Sequence, residues 1–443
     1  MPRTEPARGM RDFLPEDVRR REHVIGVIKR VYERYGFEPL ETPAVENLET
    51  LLGKYGDEGN QLIFKILKRG EHEKSGEADL ALRYDLTVPL ARVVAHHQAK
   101  LPRIFRRYQI QPVWRADRPA RGRFREFFQC DVDSLGSTSP TIEAELCAAV
   151  ADAMTELGFH DFRIRLNHRN LLTAVLKQAG FPPDRETEAL IALDKLDKVG
   201  EDGVVKEWVA RGLGDEAGMA SAAKLLVTSL VTLDAVEWLV AKDAAGSAAV
   251  QNLRRIFELT RNTSAGPAMT FDGTLARGLS YYTGAIMEVN VSDLAGSLGG
   301  GGRYDNLVGM FSGQEIPACG VTLGLERILL VMAERNMFPP TLATTPADVM
   351  VATFDASGAV AAMHVAGTLR AGGLRVLVYP DADKIGKQIK YADGRGIPFV
   401  ALLGDDEIKA GTVTVKNLAA QTQQTYPLST AAAAIREALA QRG

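Results

Sequence analysis

The sequence predicts an α+β fold: a mixed, mostly antiparallel sheet flanked by helices, with a helical insertion and a C-terminal α/β domain with a mainly parallel sheet. Short apolar segments alternate with turns at 79–133 and, with many glycines, at 267–325, which is typical of antiparallel strands. Leu, Ala and Val recur at helical spacing at 168–262, which predicts helices. After residue 347 strands alternate with helices, the pattern of a βαβαβ unit with a mainly parallel sheet.

Single elements follow from the same patterns. Apolar residues recur at helical spacing over 16–35, which predicts a helix. The extended segment after it contains Pro39 and Pro43, and proline confines a strand to the edge of a sheet or to an interface. In the last part of the chain the spacing predicts helices over 357–371 and 383–393.

The length and the changes in composition predict a domain organisation. The chain has 443 residues, which suits two or three domains. A segment rich in Pro and Thr at 336–347 has the composition of a linker. The predicted divisions are a first domain at 1–167 and 263–335, a helical insertion at 168–262, the linker, and a last domain at 348–443.

The composition excludes several classes of protein. The formal net charge of −3 means that a nucleic-acid partner would be held by local basic patches. The three cysteines form no C-x-x-C pair and the seven histidines no chelating pair, so we expect no disulfide framework and no metal site. No apolar run is long enough for a signal peptide or a membrane span, and we expect a cytoplasmic protein.

The densest chemical signal is a run of basic residues. Eight arginines lie between Arg103 and Arg125 against one acid, Asp117. A solvated basic face is the usual explanation of such a run. Here the arginines lie in a strand–loop–strand pattern interleaved with aromatic residues, and arginine suits planar, multidentate contact with phosphate. We therefore predict a phosphate site, although the run alone does not name the nucleotide.

The same stretch resembles motif 2 of class II aminoacyl-tRNA synthetases, an Arg-x-acid followed by a variable loop and Arg-x-x-x-Phe. The resemblance implies that Arg115 contacts the α-phosphate of ATP and that Asp117 contacts adenine or an amino group. It also implies that Arg123 meets the outer phosphates and that Phe127 stacks on the base. The superfamily more often has Glu where this chain has Asp117.

Two further segments resemble the other motifs of that class, in the same order along the chain. The segment around Pro43 resembles motif 1, which implies a homodimer interface there. The segment GVTLGLERILLVM resembles motif 3, which implies that Arg327, at the start of a helix, holds the γ-phosphate. Each motif alone is a weak signal, and their order and spacing make the combination specific.

The segment LARGLSYYTG resembles the signature of histidyl-tRNA synthetases. A Tyr pair on a half-buried strand beside a Gly turn would explain it if it were isolated. The resemblance implies that Arg277 lies beside the histidine carboxylate and the α-phosphate, and that Tyr281 and Tyr282 line the imidazole pocket. This chain has Ser280 where that family usually has Asp.

The segment ALRYDLTVPLAR completes the resemblance. A lone D-x-T is more often a cap or an Asx-turn, but the match covers the whole string. It implies that Asp85 and Thr87, with Gln129, receive the α-ammonium group of L-histidine. Asp133 matches the acid that accepts the imidazole N–H. Imidazole offers a donor and an acceptor, so an acid and a Tyr hydroxyl suit its recognition.

The resemblance implies the reaction and its partners: ATP as substrate with its Mg²⁺, L-histidine and tRNA(His). It makes 1–167 and 263–335 the catalytic domain and 348–443 an anticodon-binding domain. In that last domain four residues on or beside a predicted helix suit tRNA contacts, although a solvated helix explains any one of the lysines equally well: Lys384, Lys387, Lys390 and Tyr391.

Two other functions stay open from the sequence. A catalytically inactive, histidine-sensing regulatory subunit related to synthetases generally lacks the C-terminal domain and often the catalytic arginines, and this chain retains both. A threonyl or prolyl enzyme would not explain LARGLSYYTG, and a threonyl enzyme would need zinc ligands that this chain lacks.

Overall fold

The computed structural model describes residues 4–70, 75–276, 281–339, 342, 345–354 and 358–441. The chain divides into two compact units. The larger consists of Met1–Phe13 and Arg21–Met337, and the smaller of Leu14–Arg20 and Phe338–Gly443. Among the described helices, none has both the length and the apolar character needed to cross a membrane.

Strands and helices up to residue 337 alternate irregularly along the chain. The strands are β1 (Glu38–Pro39), β2 (Val45–Asn47), β3 (Lys65–Leu67), β4 (Ala78–Leu82), β5 (Phe105–Trp114), β6 (Glu126–Leu135), β7 (Arg163–His168), β8 (Met269–Phe271), β9 (Ala285–Asn290), β10 (Gly299–Arg303) and β11 (Ala318–Gly324). The helices are α1 (Pro15–Arg34), α2 (Leu48–Leu51), α3 (Gly56–Gln61), α4 (Thr87–His97), α5 (Thr141–Glu156), α6 (Arg169–Gln178), α7 (Glu186–Leu193), α8 (Leu196–Ala210), α9 (Glu216–Ser229), α10 (Leu233–Val240), α11 (Ala244–Thr260), α12 (Gly309–Ser312) and α13 (Leu325–Glu334).

An eight-stranded sheet of order β1-β5-β6-β11-β10-β9-β7-β8 forms the centre of the larger unit. The pairings from β5 through to β7 are antiparallel, and the outer pairs β1–β5 and β7–β8 are parallel. Strand β6 is paired on both sides, with β5 and with β11. Because residues two apart on a strand face the same side of the sheet, β6 presents Gln129, Asp131 and Asp133 on one face.

Apolar packing fixes this sheet against its helices. Helix α5 contacts β11 and buries Leu146, Val150 and Met154, while α13 contacts β6 and buries Ile328 and Val331. A smaller sheet of order β2-β4-β3 lies in the same unit, and α2 contacts both β4 and α4. Burial of such aliphatic side chains contributes about 1.5–3 kcal/mol each.

The smaller unit has its own sheet, of order β13-β12-β14-β15-β16. Its elements are β12 (Val349–Thr353), α14 (Ala359–Ala371), β13 (Val376–Val378), α15 (Ile385–Gly394), β14 (Phe399–Leu403), α16 (Asp405–Ala410), β15 (Thr412–Asn417), β16 (Thr422–Pro427) and α17 (Leu428–Ala440). Strand β12 is parallel to both β13 and β14, and β15 and β16 continue the sheet antiparallel.

The predicted fold class is confirmed, with its mostly antiparallel sheet, its helices between β7 and β8, and its C-terminal α/β unit. The helix predicted over 16–35 is Pro15–Arg34, and the strand that contains Pro39 lies at a sheet edge. The helices predicted over 357–371 and 383–393 are Ala359–Ala371 and Ile385–Gly394, residue 357 lying outside the described residues.

One expectation was incomplete. The region 79–133 contains a helix, Thr87–His97, between its strands. Val88, Ala91 and Val94 are buried there at helical spacing, a pattern hidden by the neighbouring strand-like segments. The larger unit holds 168–262 together with the sheet, and the predicted domain boundaries, including the partly described linker, stay predictions.

Candidate active site

A cavity of about 370 Å³ is bounded by β6, β10 and β11 and by the loop that joins β5 to β6. Residues predicted from distant segments of the sequence meet in its lining. These are Asp85, Thr87, Arg115, Asp117, Arg123, Phe127, Gln129, Asp133, Tyr281, Tyr282 and Arg327. Arg277 and Ser280 lie outside the described residues.

Glycines of two neighbouring strands form part of the cavity lining. These are Gly299, Gly300 and Gly301 of β10 and Gly320 of β11. A Cβ atom on Gly320 would overlap the Asp133 carboxylate. Glycine therefore lets the two backbones approach, and it leaves room over the sheet for a carboxylate and a ligand.

Buried polar pairs cross from β6 to β5 beneath the cavity. The register places Asp133 opposite Arg107, and Asp131 opposite Gln109. The Nη2 atom of Arg107 lies 2.9 Å from Oδ2 of Asp133 and 3.7 Å from Oδ2 of Asp131. One buried guanidinium therefore faces two buried carboxylates, and the group carries a net negative charge when both are ionised.

Burial raises the pKa of both carboxyl groups of this pair. For Asp131 burial is the largest cause, Arg107 opposes it and Asp133 adds to it, and the pKa rises to about 7. For Asp133 burial again raises the pKa, and Arg107 opposes it. The Tyr304 hydroxyl also donates to Oδ1 of Asp133. Near neutral pH the two carboxyl groups therefore favour a ligand that brings an N–H donor or a positive charge.

A third buried carboxylate, that of Asp85, lies just before the first turn of helix α4. Asp85 is 1% exposed and accepts hydrogen bonds from the Tyr55 hydroxyl at 3.0 Å and the Tyr281 hydroxyl at 3.1 Å. The Val88 amide donates to it at 3.1 Å. Burial raises the pKa of Asp85, and these bonds and Arg115 oppose the rise. The bonds fix the direction in which this carboxyl group points.

Gln129 supplies a buried acceptor to the cavity. Its Nε2 donates to Oγ1 of Thr322 at 3.3 Å and to Asp131 at 3.4 Å. Its buried Oε1 has no hydrogen-bond partner among the described residues. A buried unsatisfied acceptor costs about 1–3 kcal/mol, so a ligand that donates an N–H to it is favoured.

Two arginines of the cavity, Arg115 and Arg327, contact backbone carbonyls and aromatic rings. Arg115 donates from Nε to the Tyr84 carbonyl at 3.0 Å, and its guanidinium lies 4.3 Å from the Tyr84 ring and 5.2 Å from the Phe127 ring. Arg327 donates to the carbonyls of Gly122 at 3.1 Å and Ser297 at 2.6 Å. These contacts fix the direction of both guanidinium groups, and arginine suits multidentate contact with phosphate.

The loop that joins β5 to β6, residues 115–125, is called the arginine loop. Its remaining predicted residues lie near its tip. Arg123 is half exposed and its Nη1 lies 3.9 Å from Oδ1 of Asp117. The backbones of Ala120 and Arg123 bond to each other at 3.1 and 2.9 Å, which makes this part of the loop a tight turn. An exposed pair at that distance is weak, so Arg123 can exchange Asp117 for a more charged ligand at small cost.

Sequence reasoning missed several lining residues. Asp131 lies on the same period-two face as Gln129 and Asp133, so strand alternation indicates it. Tyr304 follows the glycine strand in GGRYDN, and nothing local marks it. Glu326, beside Arg327, accepts the Phe128 amide at 2.9 Å, and burial raises its pKa to about 7.

The predicted residues outside this cavity are exposed. In the smaller unit Lys384 precedes α15, and Lys387 pairs with Asp383 at 2.8 Å. Lys390 is exposed, and Tyr391, 40% exposed, lies edge-on to the Tyr379 ring at 5.4 Å. In the larger unit Pro43 is exposed, and its carbonyl accepts Nη1 of Arg83 at 3.2 Å.

A mostly antiparallel sheet with a basic loop between two of its strands and an arginine at the start of the helix after the last strand is the arrangement of class II aminoacyl-tRNA synthetases. The family model for histidyl-tRNA synthetase matches residues 9–328, and that for an anticodon binding domain matches residues 348–438. The chain belongs to the histidyl-tRNA synthetase family.

Relatives and solved structures agree with this assignment. The histidine–tRNA ligase of Flavobacterium johnsoniae is 41% identical over 93% of this chain and 94% of its own length. The crystal structure of histidyl-tRNA synthetase from Nostoc sp. PCC 7120 matches with a TM-score of 0.80 and 30% identity, over 99% of this chain and 100% of that one. An ATP phosphoribosyltransferase regulatory subunit/histidyl-tRNA synthetase from Bacillus halodurans, 22% identical, shares the fold with a TM-score of 0.71 over 88% of this chain and 96% of that one.

Proposed function

We propose that this chain is a histidine–tRNA ligase, which activates L-histidine with ATP to histidyl-adenylate and transfers the histidyl group to the 3′ end of tRNA(His). The observation that carries the proposal is that one cavity is lined both by buried carboxylates and by arginines oriented for phosphate. Membership of the histidyl-tRNA synthetase family supports the same activity.

The buried carboxylates suit the two groups of histidine that donate N–H, the α-ammonium group and the imidazole ring. Asp85 and the amide oxygen of Gln129, which has no partner among the residues that the structure describes, receive the α-ammonium group, with the nearby Thr87. Asp133 accepts the imidazole N–H, and Tyr282 lines the ring. An analogue without ring nitrogens would leave buried polar groups unpaired, so the site would reject it.

The arginines suit the triphosphate. Arg115 holds the α-phosphate, together with Arg277, and Arg123 and Arg327 hold the outer phosphates. Adenine stacks on the Phe127 ring, beside the guanidinium of Arg115. Asp117, at the edge of the same loop, accepts from an amino group of the nucleotide.

The first step needs no side-chain nucleophile. A carboxylate oxygen of histidine attacks the α-phosphorus, a new P–O bond forms, and the bond to pyrophosphate breaks. The chain aligns the two reactants and stabilises the charge that spreads over the phosphates. Glu288 and Glu326 line the cavity, and one or two carboxylates with the phosphates are enough to hold the Mg²⁺ that accompanies ATP and neutralises phosphate charge.

Anticodon contact and dimer assembly involve surfaces outside the cavity lining. The anticodon of tRNA(His) is contacted by the smaller unit, where exposed lysines and one tyrosine suit backbone phosphates and an unpaired base. These are Lys384, Lys387, Lys390 and Tyr391. The exposed segment around Pro43 contributes to a homodimer interface.

Amino-acid-dependent exchange of pyrophosphate into ATP tests the proposal. We expect exchange with histidine and not with threonine or proline. Replacing a donor to the transition-state phosphate lowers kcat by about 100-fold or more, so Arg115→Ala should lose at least that much and Arg277→Ala should abolish exchange. Arg118→Ala is the matched control, because Arg118 is exposed on the same loop outside the cavity lining.

Two outcomes contradict the proposal. Exchange that depends on threonine or proline would overturn the amino-acid specificity. If no amino acid supports exchange while calorimetry shows that histidine binds, the chain would instead be a histidine-sensing regulatory protein.

A further inference from the structure

Aromatic rings and guanidinium groups alternate between the N-terminal segment and the arginine loop. The Arg11 guanidinium lies 3.4 Å from the Phe124 ring centre and 4.9 Å from that of Phe13. The Arg21 guanidinium lies 4.1 Å from the Phe13 ring and 4.3 Å from the Phe128 ring. The order Phe124, Arg11, Phe13, Arg21, Phe128 defines a stack that begins and ends on the segment 115–128, which bears the arginine loop.

The backbone beside this stack is joined to the same loop. The Arg125 amide donates to the Gly9 carbonyl at 2.8 Å, and the Arg125 carbonyl accepts the Arg115 amide at 2.9 Å. Gly9 has a φ of +86°, and a Cβ there would lie 2.9 Å from Cγ of Arg125 and 3.0 Å from Cγ of Pro119. Glycine is therefore required at this position for close contact with both arms of the loop.

The two ends of the stack flank residues of the cavity. Phe124 itself lines the cavity, next to Arg123. At the other end the Phe128 amide donates to Glu326, a lining residue. Burial raises the pKa of Glu326 and the charges of Arg21 and Arg11 oppose that rise. The stack thus reaches the phosphate-binding loop at one end and a buried acid of the site at the other.

We propose that residues 9–13 are a positioning arm that holds the arginine loop over the ATP site, with Arg11 as the positioning residue that acts through Phe124. The proposal rests on the proposed function, because it assigns a role in ATP binding. Arg11 is exposed and is absent from the cavity lining, so it acts through the loop and not on the nucleotide. ATP, by fixing the loop, in turn fixes the arm.

The planar stack explains why arginine is needed. A guanidinium over an aromatic face contributes about 0.5–2 kcal/mol, which corresponds to a change of roughly 2- to 30-fold in the apparent affinity of whatever the loop holds. Lysine keeps the charge but lacks the planar group that stacks between two rings.

Steady-state exchange with full-length variants tests the arm. Arg11→Ala should raise the KM for ATP by about 5- to 10-fold, with the KM for histidine within about twofold of the unchanged protein. Arg11→Lys should resemble Arg11→Ala. Arg8→Ala, a substitution of an exposed arginine in the same segment, is the matched control and should leave both constants unchanged.

Hydrogen exchange of the backbone amides of residues 9–13 gives a readout that a purely structural role would not move. A non-hydrolysable ATP analogue should slow exchange there in the unchanged protein and not in Arg11→Ala. An unchanged KM for ATP in Arg11→Ala, or full recovery in Arg11→Lys, overturns the proposal that residues 9–13 position the loop. Histidine-dependent pyrophosphate exchange by the protein without substitutions would still support the proposed function. Equal losses for ATP and histidine with a lower Tm also overturn it.

Discussion

Arg107 and Asp133 face each other across β5 and β6, and their side chains, 0% and 3% exposed, approach to 2.9 Å. The guanidinium also approaches Asp131, at 3.7 Å. Each of these buried charges is stabilised by its partner on the other strand, since either member alone would be a buried, uncompensated charge. The relationship makes the carboxylates beneath the cavity dependent on one arginine that touches no substrate in the proposal.

Removing that arginine should damage the fold and histidine binding together. Arg107→Met keeps much of the volume but leaves Asp131 and Asp133 without their guanidinium partner, and breaking a buried pair costs about 3–5 kcal/mol. Urea unfolding measures the loss. Arg106→Met is the control: Arg106 is the neighbouring residue on β5 and forms a partly exposed pair with Glu145 at 3.0 Å, worth about 1 kcal/mol or less. Equal losses for the two variants would contradict the prediction.

The raised pKa of Asp131 predicts a pH dependence of stability. Its pKa in the folded chain is about 7, above its ordinary value of 3.8, so the protonated form is favoured by folding. The contribution is therefore present below about pH 4 and is lost as the pH rises through about 7. Between these values the free energy of unfolding should fall, relative to Asp131→Asn, by at most roughly 4 kcal/mol.

Urea unfolding from pH 4.5 to 8 for the unchanged chain and Asp131→Asn checks this difference. Asp184→Asn, on the surface, is the control and should run parallel to the unchanged chain. Parallel curves for the unchanged chain and Asp131→Asn would show that the carboxyl group of Asp131 is not held in its protonated form.

Gly320→Ala should strongly weaken histidine binding. The added Cβ overlaps the Asp133 carboxylate, so that group must turn away from Arg107 and from the cavity. We expect the KM for histidine in pyrophosphate exchange to rise by about 100-fold or more, since a displaced buried charge costs several kcal/mol. Gly367→Ala, on an exposed helical position with nothing within 4 Å, is the control and should be neutral or slightly stabilising. A histidine KM close to that of the control would contradict the overlap.

His168 predicts a second, opposite pH dependence. Its Nδ1 accepts a hydrogen bond from the Asn170 amide at 3.1 Å, so His168 is the N-cap of helix α6. Burial, with Arg303 nearby, lowers the pKa to about 4. The stability held by the neutral ring is therefore present above about pH 6.5 and is lost towards pH 4, by roughly 3 kcal/mol at most.

His168→Asn separates the cap from the titration. Asparagine is among the preferred N-cap residues, so this variant should keep the helix while removing the loss of stability between pH 6.5 and 4. His168→Ala should lose about 1 kcal/mol for the missing cap at every pH. A variant His168→Asn with the same pH profile as the unchanged chain would contradict the assignment.

Local patterns were sufficient for much of the fold. Helix α1 and the edge strand at Pro39 follow from spacing and from proline chemistry, and the parallel strands β12 to β14 follow from their alternation with helices. Helix α4 was missed because its apolar residues follow directly on a strand with the same composition. Strands β15 and β16 carry many polar residues, and their pairing depends on contacts that no local pattern encodes.

Residues of the candidate site that lie in sequence motifs were predictable, and residues that reach it only through strand pairing were not. Asp85, Gln129 and Asp133 were found because each lies in a recognisable string. Tyr304 and Arg107 were missed, since their roles arise only when β10 and β5 are brought beside β6. The stack of Arg11 on Phe124 joins residues more than a hundred positions apart, and the sequence offers no pattern for such a pair.

Strand β6 is paired along both edges, whereas the arginine loop that follows β5 is tied down at only a few points. Gln129 and Asp133, proposed to recognise the amino acid, therefore lie on a strand held on both sides, and Arg115 and Arg123, proposed to bind the nucleotide, lie on a segment with fewer backbone bonds. Amino-acid selectivity and nucleotide binding thus depend on different elements of one site. A substitution that loosens the arginine loop can speed product release without lowering the selectivity for the amino acid.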